Sequence, residues 1–278
     1  MELFLLKSGL TIMGTVPSRA ESSAEHAYEA IAPVYDDFTA HHDYELWLGE
    51  LLPQLRRHGL TDSRLLDVGC GTGKSFMPML ERGWDVVGCD ISPAMLALAE
   101  AKAGNAASLS VADMRRLPLF GEFDLVWALD DAVNYLLSSE ELKAALAGMR
   151  RNLAPHGLLM FDVNVLRSYR TFFAETETVE RGGRRLVWRG QASPQVEPGS
   201  ICESRFEVEV GNEVGGETLV EAHMHRQRHF PEGEVLEIIE SAGLECLDVF
   251  GHGYDGTLAQ PVDELDHTKA VYIARSVR

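Results

Sequence analysis

The chain has 278 residues, room for one large domain or one domain with a sizeable insertion. Its 25 basic and 43 acidic residues leave a formal net charge of −18, which repels a polyanion and argues against nucleic acid as substrate or partner. Cys70, Cys89, Cys202 and Cys246 show no Cys-x-x-Cys spacing, which argues against a thiolate zinc site and suits a reducing, cytoplasmic compartment, and no apolar run is long enough for a membrane helix.

Residues 1–23 are expected to form an N-terminal tail. Their opening, "MELFLLKSGLTIMG", imitates a signal peptide only weakly, because Glu2 stands where an early basic region belongs and Lys7 interrupts the apolar run. Residues 24–60 read as a helical cap of two helices, around "EHAYEAIAPVYDDF" and "YELWLGELLPQL", with Pro33 marking a break or first turn in the first.

From Leu65 strands and helices alternate. "RLLDV" is a short apolar strand, "SFMPMLERG" a helix ending near Gly83, and "DVVGCD" the next strand. "SPAMLALAEAKAG" is a helix with Ser92 as N-cap, Pro93 in the first turn and Gly104 as its stop. "SLSVAD" and "FDLVWAL" are strands, Ser138 and Glu141 form a capping box before "LKAALAGMRRNL", and "GLLMFDV" is a fifth strand. This alternation predicts an α/β fold, a parallel sheet with helices on both faces, built from 61–166 and 230–278. Residues 167–229 interrupt it with period-2 runs, "RRLVWRGQ", "SRFEVEV" and "TLVEAHMHRQRH", which predict an antiparallel β insertion. The helix "PEGEVLEIIESAG" then leads to strands "LECLDVF" and "KAVYIARS".

The loop after the first strand, "LLDVGCGTGKSF", carries the chemistry. A Walker A loop would need a glycine at 68, which is Val68; a dinucleotide fingerprint would need one at 74, which is Lys74. What remains is Asp67-x-Gly69-x-Gly71-x-Gly73. Glycines there let the backbone turn tightly and approach a ligand, and the carboxylate of Asp67 suits a cation. This pattern resembles motif I of the class I S-adenosylmethionine-dependent methyltransferases. "VVGCD", "VADMRRLP", "FDLVWALDDAVNYL" and "RNLAPHGLLMFDVN" resemble the blocks that follow it in that family.

The resemblance implies a doubly wound, mostly parallel seven-stranded sheet of the Rossmann-like methyltransferase type, with S-adenosyl-L-methionine as cofactor. It implies that Asp67, Gly69, Cys70 and Gly71 meet the amino-acid end of the cofactor. Asp90, with Ile91 beside it, accepts from both ribose hydroxyls, each charge-assisted bond contributing roughly 1.5–3 kcal/mol. Asp113 and Met114 contact the adenine, and Leu129 is a further cofactor-binding residue; Met95 either packs on the adenine or belongs to the core, and Lys74 either pairs with the ligand carboxylate or is solvated.

More loosely, the chain is similar to the glycine and amino-sugar N-methyltransferases, which implies a small-molecule acceptor methylated on N or O, a secondary metabolite or amino sugar. No membrane partner is expected, and a homodimer is compatible with the family. Tyr35, Tyr44 and Trp47 are candidates for the methionine end or sulfonium, or are core aromatics of the cap. In "HMHRQRHF", His223, His225 and Gln227 share one face and Met224, Arg226 and Arg228 the other; His225 is then either a general base or part of a polar outer strand. Tyr135 and Asn134 fall where acceptor and methyl group meet. His41-His42-Asp43 imitates a metal site, but adjacent histidines point different ways, and no metal is assigned. The alternatives are a protein methyltransferase, a module that binds the cofactor without turnover, and an NAD-binding oxidoreductase, which Lys74 disfavours.

Overall fold

A computed structural model describes residues 24–61, 63–211 and 218–277; the expected N-terminal tail lies outside the described residues. The chain enters through two helices. The first, α1 (Ala24–Phe38), buries Ala27, Ile31, Ala32 and Val34 on one face. It runs through Pro33 without the expected break. The proline ring is exposed and its helical neighbours stay pinned by packing, so only one intrahelical bond is lost. In α2 (Tyr44–Arg57), Asp43 caps the N-terminus by accepting from Leu46 N at 3.0 Å, and Trp47, Leu48, Leu51, Leu52 and Leu55 are buried.

The alternating segment follows in order: β1 (Arg64–Val68), α3 (Met77–Glu81), β2 (Asp85–Asp90), α4 (Pro93–Ala103), β3 (Ala107–Val111), β4 (Phe123–Ala128), α5 (Ser139–Arg150) and β5 (Leu153–Asn164). Ser92 caps α4 and Gly104 ends it at φ 56°. Ser138 caps α5, and Glu141 returns the contact to the Leu137 N–H at 2.7 Å, one residue before the cap. The fifth strand, expected from Gly157, begins earlier: Pro155–Gly157 belongs to β5, whose pairing with β4 shifts register.

The insertion opens with α6 (Leu166–Arg170) and continues as β6 (Thr176–Arg181), β7 (Arg184–Gly190), β8 (Ile201–Gly211) and β9 (Thr218–Arg228), an antiparallel four-stranded sheet in that order. Then come α7 (Glu232–Ser241), β10 (Leu244–His252), β11 (Leu258–Ala259) and β12 (Lys269–Ser276). The main sheet runs β3-β2-β1-β4-β5-β12-β10-β11. It is parallel from β3 to β5 and antiparallel beyond. It has eight strands where seven were expected, the extra one being the two-residue edge strand β11.

Alternate residues of the central strands face opposite sides. Leu66, Val126, Leu159 and Phe161 pack with α5 and α7, while Leu65, Leu125, Leu158 and Met160 pack with α2. The small sheet buries Leu186, Trp188, Phe206 and Val208 against Ile31, Ala32 and Val34 of α1. That contact lays α1 across the carboxyl ends of the main strands. Chain order reverses between β1 and β4, and ligands of open parallel sheets bind in the crevice at such a switch point.

Candidate functional site

The crevice holds a cavity with about 1320 Å³ of empty space, part of it open to solvent. Its floor is the loop after β1. Gly69, Gly71 and Gly73 lie at φ 77°, 52° and 84°, the left-handed region that side chains resist. A Cβ on Gly73 would stand 2.6 Å from the Phe76 ring, and one on Gly69 3.0 Å from Ala132 Cβ; one on Gly71 would meet nothing within 4 Å. The loop is therefore tight beneath and open at Gly71. Gly69 N and Cys70 N donate to Cys89 O at 2.8 and 3.0 Å, and Ser75 Oγ donates to Asp67 Oδ2 at 2.5 Å.

Asp90, at the end of β2, accepts from Gly71 N through Oδ2 and from Ser92 N through Oδ1, both at 2.8 Å. Each oxygen keeps lone-pair capacity for a further donor. Burial raises the Asp90 carboxyl, and burial with the neighbouring Asp90 charge lifts Asp67 to about 7 against the pull of Ser75. Asp113 is fixed by Arg115, whose Nε lies 2.9 Å from both carboxylate oxygens.

Beside the glycine loop, the turn after β4 places Asp130 and Asp131 at φ 62° and 55°. Two consecutive non-glycine residues there store backbone strain that their surroundings must offset. Asp162 on β5 does so, accepting from Asp130 N at 2.6 Å and from Asp131 N at 2.8 Å. Lys269 of β12 lies 2.7 Å from Asp130, 2.8 Å from Asp131 and 3.2 Å from Asp162. His42 Nδ1 at 2.9 Å and the Tyr44 hydroxyl at 3.1 Å complete Asp130. Burial works to raise Asp130, but Lys269 and His42 hold it well below the usual carboxylate range; burial lifts Asp162 to about 6. Burial works to lower Lys269, but three carboxylates hold it well above the ordinary lysine range.

The roof is α1. Glu29 accepts from Ser92 Oγ at 2.7 Å and Ala94 N at 3.0 Å, Asp36 accepts from Thr72 Oγ1 at 2.6 Å and pairs with Lys102, and Lys74 donates to Thr39 O. These contacts latch the helix onto the glycine loop and the start of α4. Under it, Tyr28 packs edge-on to Tyr35, Tyr135 and His225, at centroid distances of 6.0, 5.1 and 5.6 Å. The Tyr135 hydroxyl lies 2.8 Å from His225 Nδ1. Burial raises the tyrosine hydroxyls and, with His223 nearby, lowers His225 to about 3.

Of the residues singled out in the sequence, Tyr35, Tyr44, Gly69, Cys70, Gly71, Lys74, Asp90, Ile91, Asp113, Met114, Leu129 and Tyr135 line the cavity. Lys74 does so with its ammonium turned to Thr39. Asp67, Trp47, Met95 and His225 are not among the lining residues. Asp67 anchors the loop from beneath. Trp47 lies in the core against Tyr44 and His252, and Met95 faces α1 from α4. His225 stands behind Tyr135. The outer-strand reading of its face is corrected: His225 and Gln227 are each 1% exposed, because this face of β9 turns inward onto Tyr135 and Asn164. Asn134 is buried and joins β9 to β5, donating to Arg228 O at 2.8 Å and accepting from Asn164 N at 2.9 Å. His42 turns to Asp130 while Asp43 caps α2.

Arg226, on the other face of β9 from His225, does line the cavity, and the sequence reading missed Tyr28 and Asp130 there. Tyr28 was within reach of it, since it precedes Tyr35 by two helical turns and shares its face. The joining of Asp130, Asp131 and Asp162 through Lys269 carries no local signal.

Residues 65–157 match the sequence profile of a methyltransferase domain. A glycine/sarcosine N-methyltransferase of Parasynechococcus marenigrum is 31% identical over 202 residues, covering 71% of this chain and 67% of that protein. A dTDP-3-amino-3,4,6-trideoxy-alpha-D-glucopyranose N,N-dimethyltransferase of Streptomyces venezuelae is 27% identical over 218 residues, covering 77% and 86%. In fold, the chain is similar to a crystal structure of an S-adenosylmethionine-dependent methyltransferase from Clostridium acetobutylicum. The TM-score is 0.71 at 21% identity, over 90% of this chain and 99% of that one.

Proposed function

This chain belongs to the S-adenosylmethionine-dependent methyltransferases, and on that footing we propose that it methylates the amine nitrogen of a small-molecule acceptor. The cavity suits the cofactor. Gly71 leaves the loop open on the cavity side, and Asp90 has capacity for two hydroxyl donors beyond its two backbone N–H groups. Asp130, held ionised by Lys269, suits a ligand with a net positive charge. In this reading the glycine loop holds the amino-acid end, Asp90 the ribose, and Asp113 with Met114 the adenine. The bound cofactor supplies an electrophilic methyl group. The α1 roof, with Tyr28 and Tyr35, excludes water, and position and desolvation carry most of the rate.

The preference for nitrogen rests on one observation: His225, the histidine at the acceptor end, is buried behind the Tyr135 hydroxyl and does not line the cavity. Tyr135 is a tyrosine whose hydroxyl burial pushes further up, and His225 is buried behind it and held near 3. An amine that reaches the site neutral needs no base, whereas a hydroxyl does. The N-methyltransferase relatives support the same choice. A free small molecule in the cytoplasm, not a nucleic acid, is part of this proposal, and the net charge of −18 supports it. The test is transfer from methyl-labelled S-adenosylmethionine to matched pairs of small amines and alcohols, amino sugars and glycine among them. Label on the amines alone is the expected result; equal label on the alcohols, or label only on added protein, overturns it.

A further inference from the structure

His225 is more deeply placed than a group meeting an acceptor should be, yet half of its imidazole is spoken for by the cavity. Nδ1 lies 2.8 Å from the Tyr135 hydroxyl, and Tyr135 lines the cavity while His225 does not. Nε2 is buried and has no hydrogen-bond partner among the described residues. Around the ring stand Trp188 at 5.3 Å, Tyr28 at 5.6 Å and Phe206 at 6.3 Å between centroids. A neutral imidazole carries its proton on one nitrogen only, so Nε2 is either an N–H or a bare lone pair among aromatic rings. An N–H is attracted by π-electron density and a lone pair is repelled by it. Ser204, opposite His225 on β8, has an equally buried Oγ without a partner among the described residues, but a hydroxyl turns to serve either form, so the aromatic walls decide. With the proton on Nε2, Nδ1 is an acceptor and Tyr135 must donate to it.

We propose that His225 is a positioning residue that turns the Tyr135 O–H away from the cavity, so that the oxygen's lone pairs face the acceptor. This rests on the reading of the cavity as a methyl-transfer site for amines. An oxygen so presented accepts from an acceptor N–H and leaves the amine lone pair free for the methyl group. A tyrosine free to rotate would instead donate its proton to that lone pair and block it. The groups facing the pair are Tyr28 from α1 and Gln227 on the same strand, both of which also reach the Tyr135 hydroxyl, His223 on that strand, and Asp130 and Asp131 of the turn after β4. Burial and His223 keep the imidazole neutral across the working range.

The decisive readout needs no cofactor and no acceptor: the imidazole ¹⁵N shifts of His225 in the full chain, assigned by loss of its signals in His225→Asn. The expected result is the Nε2-protonated tautomer with no titration from about pH 5 to about pH 9. A proton on Nδ1, or a titration inside that window, overturns the proposal. Kinetics give a second, separate reading. His225→Leu is expected to lower kcat about tenfold, and His225→Asn, whose amide oxygen can accept in place of Nδ1, to recover most of that loss. Both variants should bind S-adenosylhomocysteine as the unaltered protein does. Equal losses in both variants mark a base and overturn positioning, as does an unchanged kcat in His225→Leu. If His225→Leu fails to fold, the tautomer alone decides. If the unaltered protein binds no S-adenosylhomocysteine, the cofactor reading fails on its own and the tautomer result still stands or falls by its spectrum.

Discussion

Replacing Lys269 by Met should unmask the charge that the fold confines beside the cavity. The ammonium sits 2.7, 2.8 and 3.2 Å from Asp130, Asp131 and Asp162. Methionine keeps the length and the apolar stem but removes the charge, its hydrogen bonds to the three carboxylates and its position over the Trp47 ring. Three buried carboxylates would then face one another, with the His42 and Tyr44 hydrogen bonds as the remaining side-chain contacts of Asp130. Removing one partner from a buried ion pair costs about 3–5 kcal/mol, and that is the loss expected near pH 8. The carboxyls can escape part of it by taking up protons. Asp162 is already lifted to about 6, and loss of the ammonium lifts the cluster further. A carboxyl whose folded pKa exceeds its unfolded value binds protons in the native state that the unfolded chain does not. Stability therefore falls as pH rises through that interval, from the ordinary value near 3.8 to the raised one. The deficit of Lys269→Met should accordingly shrink toward pH 5. Urea unfolding followed by tryptophan fluorescence at pH 5 and pH 8 measures it. A deficit below about 1 kcal/mol at pH 8, or one that does not change with pH, would show that Lys269 does not hold these carboxylates together.

Asp67 should leave a pH signature of its own. Its folded value of about 7 lies above the ordinary 3.8, so the unaltered protein loses stability between those limits as pH rises, by up to about 4 kcal/mol, and Asp67→Asn should flatten that slope in urea titrations; an unchanged slope sinks the assignment. Gly73→Ala should destabilise by about 1–3 kcal/mol, since its Cβ meets the Phe76 ring at 2.6 Å and its φ is 84°, and a melting temperature equal to the parent's would contradict this. Glu29→Gln should loosen the α1 latch, because Ser92 Oγ and Ala94 N lose a charged acceptor; amide exchange in α1 is expected to rise about tenfold, and unaltered exchange would mean that packing alone holds the roof.

The parts of this site that were legible in the sequence are those encoded within a few residues. The β1 loop announces itself because glycines at 69, 71 and 73 have a local backbone reason to be there, and Ser92 and Ser138 announce their helices because a cap is a local bond. The continuous helix through Pro33 was not legible, since tertiary packing of Ile31, Ala32 and Val34 overrides a local rule. Nor was the inward turn of His225 and Gln227. Strand alternation assigns them to one face but does not say which face meets the main sheet; α1 and Tyr135 decide that from elsewhere in the chain. The Asp130–Asp131–Asp162–Lys269 network is farther from any local pattern. Its members lie on three segments brought together by the β4-β5-β12 order, and only the repeated aspartate, a residue that tolerates the left-handed region, hints at the strained turn.

The claim on which the rest depends is that the cavity beneath α1 is the cofactor site. Calorimetric titration of the unaltered protein and of Asp90→Ala with S-adenosylhomocysteine tests it most directly. Micromolar binding to the first and at least about tenfold weaker binding to the second is the expected result, since Asp90 anchors Gly71 and keeps acceptor capacity for the ribose. No heat with the unaltered protein, or the same affinity in both, would contradict it.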